Sequence, residues 1–147
     1  MTDIIIQLIT AFLGALGFAI LFQVEKGKLF AASFGGFLTW SCYIICGLFL
    51  QGNIIRFYIS SAIITIYAEY MARKHKAPAT VFLVPATIPL IPGGSLYQTM
   101  SYALQEKWLL FFRQGLGTIL LAVAISCGIL STMTVMKIYY KFKVQNL

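Results

Sequence analysis

The chain has 147 residues, of which 60% are hydrophobic and only 10% charged, and its formal net charge is +7. A soluble domain carries about 25% charged residues, so this composition excludes a water-soluble globular protein and predicts an integral membrane protein. The basic residues lie between long apolar runs, not on one stripe with interleaved aromatics, so they read as topology signals and no nucleic-acid partner is expected.

The length fits one transmembrane domain, residues 1–147. A helix needs about 20 residues to cross a hydrocarbon core of about 30 Å. In chain order the predicted spans are 4–22, 29–50, 54–72, 77–105 and 114–136, and the fourth is broken in its middle. The first has no basic leader region and no clear cleavage site, so it reads as a retained span rather than a signal peptide. The connections "QVEKGK", "QGN", "RKHK" and "EKWLLFFR" leave no room for a soluble domain. The predicted fold class is therefore an all-α integral membrane protein of five transmembrane helices.

Small residues recur at helix-packing spacing: Ala11, Ala15 and Ala19; Ala32 with Gly36; Ala124 with Gly128. Such stripes let membrane helices approach closely. Trp40, Trp108, Tyr139 and Tyr140 read as interface anchors or packing groups. With five spans, one side holds eight basic residues (Lys26, Lys28, Arg73, Lys74, Lys76, Lys137, Lys141 and Lys143) and the other holds three (Arg56, Lys107 and Arg113). A re-entrant fourth segment splits them seven to four. The positive-inside rule favours the first arrangement, with the amino terminus outside and the carboxyl terminus in the cytoplasm of a cell with a bacterial-type plasma membrane.

Cys42, Cys46 and Cys127 all lie inside apolar runs and read as buried packing thiols. With His75 the only histidine, no metal site is expected, and no cofactor. One histidine and four acids supply no nucleophile–base pair, so no enzyme is expected.

The stretch "PATIPLIPGGSLYQTM", residues 85–100, breaks its own backbone within an apolar run. Pro85, Pro89 and Pro92 cannot donate to the carbonyls of Val81, Pro85 and Ile88. An open backbone group is costly in lipid and survives only against protein or water. Gly93 and Gly94 loosen the chain, and Ser95 with Gln98 matches a capping box for a second half-helix. Gln98, Ser101, Tyr102 and Gln105 share one face of it. Its first amides, near mid-membrane, form a ready site for a carboxylate. Gly93, Gly94, Ser95, Gln98 and Ser101 are the predicted substrate-binding residues. Glu69 is the one acid clearly within an apolar run. It pairs with Arg73 at i, i+4, either as a simple interfacial pair or as a proton-coupling or gating group.

At "AEYMARKHKAPATVFLVPATIPLIPGGSLYQTM", residues 68–100, the sequence resembles the threonine/serine exporter family. The pattern AExxARxxKAPATVFLxPxxxPLxPGG is similar to the signature of that family's small membrane subunit. The resemblance implies a five-span chain that works with a larger partner subunit. It further implies export of threonine or serine, or, in some relatives, of dicarboxylates such as succinate, and hence a carboxylate-bearing substrate. A non-transporting assembly subunit is the other reading it leaves open.

Overall fold

The computed structural model describes residues 2–145, and every regular element among them is helical. The helices are α1 (Thr2–Leu21), α2 (Lys26–Phe49), α3 (Asn53–Lys74), α4 (Thr80–Thr87), α5 (Gly93–Leu104) and α6 (Trp108–Gln145). A 3-10 turn, Ile88–Leu90, continues α4.

Helix α3 is the centre of the bundle and packs against α2, α4 and α6. It buries Phe57, Ser60, Ser61, Ile64, Thr65, Ala68 and Ala72. The small-residue stripes are the contact lines that the sequence predicts. Ala11, Ala15, Ala19, Ala32, Gly36, Ala124 and Gly128 are all buried. A Cβ added to Gly36 would collide with Ala15, and one added to Gly128 would collide with the Ser61 hydroxyl. Backbones this close let dispersion forces act where no hydrophobic drive separates helix from lipid. Buried hydroxyls other than that of Ser60 are satisfied by their own helices: Thr39 Oγ1 donates to the Gly35 carbonyl and Thr65 Oγ1 to the Ser61 carbonyl, at 2.8 and 2.7 Å.

Contacts set the helix directions. Phe57 clusters with Ala124, Gly128 faces Ser61, and Arg73 lies over the Tyr140 ring at 3.2 Å, so α3 and α6 run parallel. Tyr43 packs on Phe57 while Tyr67 Oη donates to the Ala31 carbonyl, so α2 runs antiparallel to both. The α4–α5 segment must therefore carry the chain back across the bundle between α3 and α6. Positions 98 and 114 meet, as do 99 and 118, and α5 lies antiparallel along the first third of α6.

Three helices are long and apolar enough to cross a membrane: Asp3–Leu21, Lys26–Phe49 and Trp108–Phe142. A fourth is added if Thr80–Leu90 and Gly93–Leu104, bent by 54°, count as one. The fifth expected span, α3, has the 22 residues required but not the apolarity. Its charges are held by protein groups. Arg56 Nε and Nη2 donate to the Leu50 carbonyl at 2.9 and 2.7 Å, capping the end of α2, and Glu69 pairs with Arg73 at 3.7 Å. Charged groups held this way are tolerated in a membrane helix.

Several predicted boundaries need correction. Helix α2 begins at Lys26 rather than at 29, and α6 fills 108–145 rather than 114–136. Hydropathy marks where lipid begins, whereas lysine and arginine are good helix formers that let the helix run on. The "EKWLLFFR" connection is consequently mostly helix: the turn is confined to residues 105–107, with Glu106 at φ 57°. The excess length of α6 has a physical consequence. The 38-residue helix, charged at Arg113 and Lys137, is roughly 57 Å long at 1.5 Å per residue. Even at a tilt of 40° a hydrocarbon core covers only about 39 Å. Its first turns, around Arg113, carry exposed Leu109, Phe112 and Leu116 beside exposed Tyr97, Met100 and Leu104 of α5.

Candidate functional site

The break in the fourth segment is shorter and better satisfied than the sequence suggests. Ile88 N–H donates to the Pro85 carbonyl, and Ile91 N–H donates to the Ile88 carbonyl at 3.1 Å. Two of the three carbonyls expected to stay open thus find donors one residue early, because the chain tightens into the 3-10 turn. The break itself is confined to Ile91 and Pro92. Pro92 has φ −76° and ψ 57°, and Gly93 N–H donates back to the Ile91 carbonyl at 2.7 Å, which is an inverse γ-turn.

Helix α5 starts at Gly93, so Gly93, Gly94 and Ser95 are helical, and Ser95 is not the cap. Nor does the capping box form: the Gln98 amide oxygen instead accepts from Gln114 Nε2 on α6 at 3.2 Å. The Leu96 amide donates to the Pro92 carbonyl at 3.0 Å, whereas those of Gly94 and Ser95 find no backbone acceptor among the described residues. These two donors sit at the positive end of a 12-residue helix.

They border a cleft of about 240 Å³ lined by Trp40, Tyr43, Asn53, Phe57, Pro89, Ile91, Pro92, Gly93, Gly94, Ser95 and Leu121. Four helices, α2, α3, α5 and α6, and the break meet there. Trp40 stacks on Tyr43 at 5.0 Å, and Tyr43 packs on Phe57 at 5.0 Å, so an aromatic row from α2 to α3 forms one wall. The cleft spans the first turns of α3, from Asn53 to Phe57, and reaches Trp40 in the middle of α2. Eight α-helical residues and a three-residue 3-10 turn rise about 18 Å, a little over half the length of the 22-residue α3.

The predicted site residues do not all come together. Gly93, Gly94 and Ser95 line this cleft together with Pro89 and Pro92. Pro85 is fully buried one turn earlier. Gln98 and Ser101 lie further along α5, where Ser101 Oγ accepts from Gln105 Nε2 at 3.0 Å. Glu69 and Arg73 are not part of the cleft. They line a separate hollow at the other end of α4, with Ala72, Lys76, Ala77, Pro78 and Ala79. The Arg73 guanidinium is shared between Glu69 and the face of Tyr140.

Sequence reasoning missed Trp40, Tyr43, Asn53, Phe57 and Leu121. One signal was available for Trp40: nine residues of α2 follow it, too far from the helix end for an interface anchor. Its indole Nε1 donates to the Gln7 amide oxygen on α1 at 3.2 Å. No group of three or more His, Cys, Asp or Glu that could hold a metal occurs among the described residues.

A bundle of long apolar helices, with a polar amide-lined cleft opened by a helix break, defines a multi-pass helical membrane protein. Discontinuous helices of this kind bind substrates in transporters. The family profile described as Threonine/Serine exporter, ThrE, matches residues 7–135, and the chain belongs to that family. The family is one of transporters rather than an enzyme class. No curated protein and no solved structure matches the chain.

Proposed function

We propose that the chain is a membrane subunit of a proton-coupled secondary transporter that exports small amino acids such as threonine and serine, together with a larger partner subunit. The observation that carries this reading is the cleft at the start of α5. Its free Gly94 and Ser95 amides suit a substrate carboxylate. The Trp40 and Tyr43 faces suit an ammonium group. Asn53 and Ser95 suit the hydroxyl of serine or threonine. A succinate-like dicarboxylate would leave the aromatic wall facing a second anion, which is why an amino acid is favoured. The partner is supported by the exposed Leu109 and Phe112 that precede Arg113 on α6, beside exposed Tyr97, Met100 and Leu104 of α5. The test is uptake of labelled L-threonine into proteoliposomes holding the chain alone or with the larger subunit. Uptake is expected with both chains present. Equal uptake in empty vesicles, or no uptake with both chains, contradicts the reading.

In this reading the chain crosses five times, α3 included, with the carboxyl terminus in the cytoplasm of the cell membrane. The parallel course of α3 and α6 supports it, since α4–α5 must return between them. Single cysteines in a cysteine-free background read this out with an impermeant thiol reagent. A cysteine at position 145 is expected to stay unlabelled in intact cells and one at Gly52 to label. The reverse pattern overturns the topology.

Glu69 is the proposed proton-coupling or gating group, with Arg73 as its partner, remote from the substrate cleft. Glu69→Gln is expected to flatten the pH dependence of export while the protein still folds and inserts. An unchanged pH profile reduces Glu69 to a structural pair, worth at most about 1 kcal/mol.

A further inference from the structure

Two clefts meet at Trp40. The first is the cleft at the start of α5. The second, of about 260 Å³, lies on the α1 side and is lined by Gln7, Thr10, Ala11, Gly14, Trp40, Ile88 and Pro89. Only Trp40 and Pro89 border both. Ligand pockets measure roughly 300–1,000 Å³. Neither cleft reaches that range alone, and joined they do. The first opens level with the start of α3 and the second lies deeper, beside Gln7 and Thr10 of α1.

The two residues common to both clefts are thus the Trp40 side chain and the Pro89 ring. Pro89 is fixed: it sits in the 3-10 turn, and a Cβ on Gly36 would lie 3.5 Å from its Cγ, so α2 presses against it. Trp40 is less constrained. Its side is stacked on Tyr43, and its one hydrogen bond, to Gln7, is long at 3.2 Å and exposed. Breaking an exposed bond of that kind costs about 1 kcal/mol, and side-chain rotamer changes are fast compared with transport cycles.

We propose that the two clefts are halves of one substrate path, and that the Trp40 indole, tethered to Gln7 and closed against Pro89, is the gate between them. This rests on the transporter reading above for the nature of the substrate, a small zwitterionic amino acid, but not for the existence of the path. Rotation of the indole off Pro89 opens the path. The polar groups of Gln7 and Thr10 then take over from Asn53 and Ser95.

The test uses the full chain in liposomes with its three native cysteines replaced and a single cysteine at Ser95 or at Thr10. An impermeant thiol reagent is added from each side in turn. Trp40→Ala is expected to raise the modification rate from the poorer side by about tenfold or more, the change made by ~1.4 kcal/mol of barrier. Trp40→Phe is expected to restore most of the difference. Gln7→Leu keeps every ring and cuts only the tether, so it is expected to move the rate in the same direction. It carries the test if Trp40→Ala fails to fold. Unchanged rates in both Trp40→Ala and Gln7→Leu overturn the gate. L-Threonine added during labelling separates the two ideas. Faster modification without protection by threonine supports the path and counts against the substrate reading. Protection without any change in rate supports the substrate reading and overturns the gate.

Discussion

Gly94→Val is expected to reduce threonine export by about tenfold or more, a loss of ~1.4 kcal/mol of substrate interaction, while the protein still folds and inserts. Gly94 is helical and exposed, and a Cβ added there meets nothing within 4 Å. Valine is a better helix former than glycine, so α5 itself loses nothing. What the isopropyl group does occupy is the space over the Gly94 and Ser95 amides where a carboxylate would lie. Positive-φ strain plays no part, because Gly52 is the one positive-φ glycine among the described residues. Gly17→Val, on exposed α1 with equally open surroundings, is the matched control and is expected to leave export unchanged. Full activity in Gly94→Val contradicts the site.

Gly128→Val is expected to have the largest effect on the fold. A Cβ at Gly128 would overlap the Ser61 hydroxyl and come within 2.6 Å of the Tyr58 carbonyl oxygen. Neither can move far: Ser61 Oγ donates to the Tyr58 carbonyl at 2.8 Å, and both belong to the central helix. Overpacking costs typically 1–3 kcal/mol, occasionally more, and here it must push apart α3 and α6, the pair on which the parallel arrangement rests. The expected readout is a large drop in monodisperse protein extracted in mild detergent, with a lowered thermal midpoint. Ser61→Gly in the same chain is expected to recover part of the loss, not all, because the Tyr58 carbonyl stays in place. Normal yield and midpoint in Gly128→Val would mean that the helices do not meet at this line.

How much of this was legible in the sequence depends on which physical rule each feature obeys. The helix-packing lines were legible, because small side chains at i, i+4 have few other uses in a membrane helix: Ala15 against Gly36 and Gly128 against Ser61 are their direct product. The break near Pro92 was legible for the same local reason, since three prolines within eight residues interrupt a helix ladder. The manner in which the chain repairs the break was not. Whether a donor arrives at the i+3 position in a 3-10 turn depends on torsions that residue types alone leave open, and it moved the first turn of α5 forward to Gly93. The extent of α6 was misjudged because Arg113 and Lys137 read as ends of a span, whereas they interrupt hydropathy and not helix.

Part of the cleft's lining was legible. Gly93, Gly94 and Ser95 announced themselves by local backbone chemistry. Trp40, Tyr43 and Phe57 did not, because aromatics on apolar helices look alike whether they face lipid, core or cleft; only the antiparallel register of α2 on α3 brings them beneath α5. Glu69 lies close to the break in sequence but at the far end of α4 from it, a separation that follows from the extended rise of the intervening turns.

The account's central claim is that the Gly94 and Ser95 amides at the start of α5 receive the carboxylate of a small amino acid. Equilibrium competition tests it most directly, using labelled L-threonine bound to the purified protein with its larger subunit in lipid. Unlabelled L-threonine and L-serine are expected to displace the label. L-Threonine amide, which keeps the side chain and ammonium group but lacks the carboxylate charge, is expected to compete at least about tenfold more weakly, a difference of ~1.4 kcal/mol. Displacement by the amide as strong as that by L-threonine itself would contradict a carboxylate seat on these two amides.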